Sequence, residues 1–151
     1  MRDPSALVVR PLEPGDHDAW DPLWRGYLTF YETVIPDEVR AVTWRRLLDP
    51  AEPMKGAVAL RDGIAVGIVH HIRHRSCWTV GDYVYLQDLF VAQSERGGGV
   101  GRALIEHVYA AARAAGCARV HWLTHETNRT AMKLYDRIAD RSGFVQYRKI
   151  L

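Results

Sequence analysis

Several things are scarce in this chain, and each absence narrows what it can do. No apolar run approaches the roughly 18 residues that a membrane-spanning helix needs, so no membrane partner is expected. Cysteine is confined to Cys77 and Cys117, which lack any spacing for metal or redox work, and reduced thiols in a cytoplasm are the simplest reading. A net charge of +2 is too small to argue for nucleic acid or an anionic surface as partner. Internal repeats, low-complexity tracts and linkers are missing too, and Met1-Arg2-Asp3-Pro4-Ser5 reads as a short polar tail, not a leader. What remains is ordinary: 151 residues, 48% apolar and 25% charged, enough for one domain over residues 1–151 with a single core.

Periodicity predicts the elements. Residues 7–10 read as a strand ended by Pro11. Asp16 is placed to cap a helix through about Tyr31, with Trp20, Leu23, Trp24, Tyr27, Leu28 and Tyr31 as its apolar stripe. A second helix opens at Pro36 or Asp37 and ends near Asp49-Pro50, turning Val39, Val42, Leu47 and Leu48 inward. Residues 56–60 and 64–72 pair as strands around an Arg61-Asp62-Gly63 turn. Residues 83–92 form a buried strand, and 102–116 a helix with Leu104, Val108, Ala111, Ala112 and Ala115 on one face. A strand at 118–124, a helix from 128 to about 141 stopped by Gly143, and a last strand at 144–150 complete the chain. The order β-α-α-β-β-β-α-β-α-β implies an α/β fold with a mixed sheet. A last strand without cover is a bare edge, which invites a second subunit and a homodimer.

The densest information lies in Arg96-Gly97-Gly98-Gly99-Val100-Gly101, between the 83–92 strand and the helix that follows. A glycine-rich turn from strand to helix aims several backbone N–H groups and the positive end of the helix dipole at one point. That point suits a phosphate or pyrophosphate, and glycine lets it approach where a Cβ would collide. Gly101 is followed by Arg102-Ala103, so the nucleoside-triphosphate pattern fits poorly. The dinucleotide pattern G-x-G-x-x-G is not met either; Glu126 matches its downstream acid only loosely, and no βαβ series surrounds the glycines.

The residues do match R-x-x-G-x-G, with Tyr85-Leu86-Gln87-Asp88-Leu89-Phe90-Val91 upstream and Asn128-Arg129-Thr130-Ala131-Met132-Lys133-Leu134-Tyr135 downstream. Three motifs in this order and spacing resemble the GCN5-related N-acetyltransferases (GNAT), and the histone/polyamine acetyltransferase branch in particular, over nearly the whole chain. The resemblance implies a mixed, mostly antiparallel central sheet flanked by helices. It also implies acetyl-CoA as co-substrate, with no metal, and an amine acceptor on a small molecule or a lysine.

An amine attacking a thioester needs the donor held, the amine deprotonated, the oxyanion stabilised and the leaving thiolate protonated. The N–H groups of Gly97, Gly98, Gly99, Val100, Gly101 and Arg102 are candidates to hold the donor, with Arg96 and Arg102 as charge partners. The resemblance implies that a bulge splays the preceding strand, so that backbone groups near Leu89 bind the acetyl carbonyl while Phe90 and Val91 pair with the pantetheine arm. Tyr135 is the candidate acid, on one helix face with Asn128 and Ala131 at i, i+3 and i+7; Asn128 is a cofactor ligand, an N-cap or both. The base departs from the related pattern: Gln87 stands where that branch has Glu, and Gln accepts no proton. Asp88 keeps a carboxylate but points to the opposite face of a regular strand, unless a bulge reorients it. Glu32, His125 or a water chain are the alternatives. Tyr27, Phe30, Tyr31 and Glu32 lie where the family builds its acceptor cleft, joined by Gln87, Asp88 and His125, and aromatics with a carboxylate suit a cationic amine. His70-His71-Ile72-Arg73-His74-Arg75 reads as structural, with its basic residues on a solvated face. Two rivals are a sensor domain that binds acyl-CoA without turnover and a nucleic-acid binder using Arg73, Arg75 and the loop arginines; the low charge disfavours the second.

Overall fold

The computed structural model describes residues 6–151, and the polar opening at 1–5 lies outside the described residues. The chain runs β1 (Leu7–Pro11), α1 (His17–Phe30), α2 (Asp37–Leu48), β2 (Met54–Arg61), β3 (Ile64–His74), β4 (Tyr83–Val91), α3 (Val100–Ala114), β5 (Arg119–His121) and α4 (Arg129–Ile138). The strands lie side by side in the order of the chain, antiparallel from β1 to β4 and parallel between β4 and β5. Asp62 and Gly63 both take positive φ, 51° and 79°, which is the backbone of a two-residue hairpin turn, and they set the register Arg61 opposite Ile64.

The alternation of the strands divides the core between two faces. On one, Trp20, Leu23, Trp24 and Leu28 of α1 and Leu47 of α2 pack on Val58 and Ile68. On the other, Val100, Leu104, Ile105, Val108 and Ala112 of α3 pack on Ala57, Ala59, Val66, Val69, Val84 and Leu86, with Leu134, Tyr135 and Ile138 of α4 alongside. Leu104, Ile105 and Val108 are wholly buried, and each such side chain contributes about 2 kcal/mol of hydrophobic stabilisation. Glycine sets how closely the layers approach. A Cβ on Gly67 would lie 3.0 Å from Val100 and 3.1 Å from Leu104, and one on Gly26 would lie 2.9 Å from the Phe90 ring.

Six expectations need correction. The predicted strand at 144–150 does not form: Phe144, Val145, Tyr147, Ile150 and Leu151 are all at least 77% exposed, and residues 139–151 join no ladder. A strand gains its backbone hydrogen bonds only by pairing with an edge, and this segment pairs with none. The strand at 118–124 shortens to Arg119–His121 because β5 stays beside β4 only from Tyr83 to Tyr85. The helix predicted to about 141 stops at Ile138, where Ala139 turns extended, well short of Gly143. On α2, Val39 is 43% exposed while Trp44 is drawn toward the core, and on α3 the inward position expected of Ala115 belongs to Ile105. Last, the His70–Arg75 stretch is solvated only at Arg73, His74 and Arg75, whereas His70 and His71 are 3% and 8% exposed.

Candidate active site

The site begins with one extra residue. On β4, His70 of β3 faces Asp88 while His71 faces Leu86, so Gln87 is a bulge without a partner. Val84 and Leu86 point to the α3 face, and strict alternation would send residue 88 there too. The bulge shifts the phase. Leu89 and Val91 now take the α3 face, Phe90 the α1 face, and the Asp88 carboxylate meets His70 on the α1 face.

Around that carboxylate stands a closely packed polar and aromatic group. His70 Nδ1 lies 3.0 Å from Asp88 Oδ2, and the Trp20 indole N–H donates to His70 Nε2 at 2.9 Å. Trp24 stacks on Tyr27 with ring centres 5.1 Å apart and meets His70 edge-on at 4.8 Å, and Tyr27 lies 4.9 Å from Tyr31. Burial pushes the Tyr27 phenol far above its ordinary value, and the adjacent Asp88 charge, which its hydroxyl reaches, adds to the effect. Tyr31 and Tyr85 are raised by the same two causes, burial first. Tyr135 of α4 is pushed up to about 12 by burial, with Tyr31 adding to the shift. Tyr31 thus feels the Asp88 charge and in turn adds to the shift of Tyr135.

The cleft widens because β4 and β5 part after Tyr85. Past that point the edge of β4 through Leu89, Phe90 and Val91 has no strand beside it, which leaves backbone groups open to an amide-bearing ligand. At the end of this edge, Gly97 and Gly99 take φ of 79° and 84°, and Gly99 is the N-cap of α3. No side chain caps the helix, and its first backbone bond runs from Ala103 N–H to the Gly99 carbonyl. The N–H groups of Val100, Gly101 and Arg102 thus precede the ladder, and a Cβ at Gly97 or Gly99 would meet no atom within 4 Å. An uncapped, open helix N-terminus fits a pyrophosphate.

The other sequence candidates are scattered around this group. Ala131 and Asn128 lie at the start of α4, where Asn128 leaves its helix uncapped and its side-chain amide donates to Thr124 Oγ1 at 3.2 Å. Arg96 folds back: its Nε donates to the Val91 carbonyl at 3.2 Å and its guanidinium lies 5.4 Å from the Phe30 ring centre and 5.6 Å from that of Phe90. Arg102 pairs with Glu106 at 2.9 Å. Glu32 ends α1 on the exposed surface with φ of 52°, and His125 is exposed with Nδ1 bonded to Thr127 at 2.7 Å, so neither joins the Asp88 group. Gln87 is exposed, as a bulged residue tends to be.

Two participants were not foreseen. The sequence marks His70 only as structural, because alternation alone cannot tell which face of an inner strand meets a carboxylate. Arg61, 7% exposed, donates Nε to Glu95 at 3.0 Å and reaches the Gly98 carbonyl at 3.5 Å, so it ties the glycine loop to β2. Its only sequence signal is a place next to the hairpin turn.

Comparison with known proteins agrees with this geometry. Residues 19–139 match the Acetyltransferase (GNAT) family. The chain is 39% identical over 145 residues to the D-amino-acid N-acetyltransferase HPA3 of Saccharomyces cerevisiae, covering 95% of this chain and 90% of the relative. Among solved structures it superposes on AAC(6')-Iy in complex with the bisubstrate analogue CoA-S-monomethyl-acetylneamine, with a TM-score of 0.82 at 21% identity over 96% of this chain and 99% of that one. It also superposes on a probable acetyltransferase, with a TM-score of 0.84 at 23% identity over 95% and 97% of the two chains. With an uncapped, glycine-rich helix start, an open β4 edge and a family match over most of its length, the chain belongs to the GNAT family and is an acetyl-CoA-dependent N-acetyltransferase.

Proposed function

We propose that the acceptor is the primary amine of a small molecule, which attacks acetyl-CoA directly while both are bound, and that Asp88 takes the amine's proton. The observation that carries this reading is the Gln87 bulge, which turns a carboxylate into an aromatic-walled recess beside the open β4 edge. Bound there, the thioester supplies an acyl carbon to which the amine nitrogen bonds as the carbon–sulfur bond breaks and a thiolate leaves. The N–H groups from Gly97 to Arg102 hold the diphosphate, the β4 edge near Leu89 orients the acyl carbonyl, and Phe90 and Val91 line the pantetheine arm. Asp88 pairs with the ammonium form of the acceptor among Tyr27, Tyr31 and Tyr85, then accepts the proton as the nitrogen becomes nucleophilic. Tyr135 gives its proton to the departing sulfur.

The test is thiol release from acetyl-CoA against a panel of D- and L-amino acids, polyamines, small amines and a lysine peptide. The similarity to a D-amino-acid N-acetyltransferase puts D-amino acids first in that panel. Release with a small amine is the expected result. Tight CoA binding without release from any amine would make this a sensor, and no association with CoA at millimolar concentration would end the reading.

The active assembly, on the same reading, is a homodimer in a cytoplasm. The apolar tail from Phe144 to Leu151 stands exposed beside a groove of about 790 Å³ walled by Tyr109, Val120, Trp122 and Tyr135, at the free edge of β5. A second copy offers the same edge and the same tail, so mutual pairing of tail and edge buries both. Light scattering should give twice the chain mass, and truncation after Ser142 should give the single mass.

A further inference from the structure

We infer that His70 is a positioning residue: its ring holds Asp88 in the orientation and charge state in which it receives the acceptor's proton, and Trp20 sets the tautomer that allows this. The inference rests on the reading of Asp88 as the base. Three facts carry it. His70 and Trp20 are 3% and 0% exposed, so water does not supply the partners of the ring nitrogens. The indole N–H is a donor only, and it points at His70 Nε2 from 2.9 Å, so Nε2 must be the acceptor. The ring proton is then on Nδ1, and Nδ1 lies 3.0 Å from Asp88 Oδ2. A carboxylate accepts that N–H through one oxygen and keeps lone pairs on the other for an ammonium.

The direction of each bond matters. A second proton on Nε2 would face the Trp20 N–H head-on, so the ring meets Asp88 as a neutral donor and leaves one negative charge in the recess. Were the tautomer reversed, Nδ1 would turn a lone pair on the carboxylate, and Asp88 would be driven away or forced to hold a proton itself. A base that already holds its proton cannot accept another. The specificity of the pairing is visible nearby: Trp24 packs edge-on against the same ring, yet its indole N–H finds no acceptor among the described residues.

The first measurement needs no variant. A ¹⁵N correlation spectrum of the imidazoles in the intact protein should show His70 with a protonated Nδ1 and an unprotonated Nε2; a proton on Nε2 overturns the inference. The second compares His70→Asn with His70→Gln. An asparagine amide can take the place of Nδ1–H, whereas glutamine places its amide near Nε2 but matches the volume of histidine better. If His70 positions Asp88, His70→Gln should lower kcat roughly 10- to 100-fold further than His70→Asn, with KM for acetyl-CoA the same in both. A purely packing role predicts the reverse order, and equal losses overturn the inference as well. Asp88→Asn keeps the two readings apart. Full turnover in that variant would remove Asp88 as base, while an inactive Asp88→Asn with equal His70 variants would remove only His70. Should neither His70 variant fold, the spectrum decides.

Discussion

A phenol that protonates a thiolate must keep its own proton until the carbon–sulfur bond breaks. Burial pushes Tyr135 up to about 12, against an edge-on Trp122 at 5.4 Å, so it is protonated throughout the range in which an amine can react. Tyr135→Phe should lower kcat by about 10- to 10⁴-fold, the span typical of a lost general acid, with acetyl-CoA affinity little changed. Unaltered turnover would take Tyr135 out of the chemistry. Arg61 illustrates a different kind of residue, one whose work is to hold a loop. Its partner Glu95 is 12% exposed, and Arg61→Ala removes that charge-assisted hydrogen bond, at a stability loss of about 2 kcal/mol. Urea unfolding measures the loss, and calorimetry should show weaker CoA binding, because the same guanidinium steadies Gly98.

At the level of elements, the start of α3 joins backbone conformation to ligand binding. Gly99 sits at φ of 84°, in the left-handed region that a β-branched side chain avoids. Gly99→Val should therefore reshape the first turn and abolish CoA binding in calorimetry while far-UV dichroism stays close to the parent. Normal affinity would mean that the turn only connects β4 to α3. The sheet element at His70–His71 works through pairing: a single unpaired residue, Gln87, decides which side chains of β4 face α1. Deleting Gln87 would leave the pairs His71–Leu86 and His70–Asp88 joined by regular alternation, so it is the extra residue that the bulge absorbs to keep Asp88 on the α1 face.

For the whole molecule, the buried histidine on the α3 face sets the acid limit. His71 is lowered to about 4, mainly by burial and then by electrostatic interaction with His107, His70 and Lys55. The unfolded chain binds that proton near 6.5, whereas the folded chain resists it. The contribution is thus fully present above about pH 6.5 and lost as pH falls toward 4, on the order of 3 kcal/mol in all. Thermal unfolding should show Tm dropping across this window, and His71→Leu should flatten the drop. An identical slope in the variant would assign the acid sensitivity elsewhere.

Much of this protein was legible in its residues taken in order. The Asp62-Gly63 turn, the amphipathic stripes of α1 and α3 and the glycine cluster are local features, each decided within about ten residues by backbone sterics and apolar spacing. The candidate acid and the diphosphate loop were named for that reason. What depended on register could not be read this way. Whether Asp88 faces α1 or α3 turns on one extra residue that only the pairing with β3 defines, and His70 becomes its partner through a contact spanning 18 positions. The 144–150 segment has a strand's composition, but a strand is a relation between two backbones, and here the segment pairs with none. Sequence by itself determined the elements and the chemistry available; tertiary structure alone decided which side chains meet, because pairing phase and long-range burial are properties of the assembled sheet.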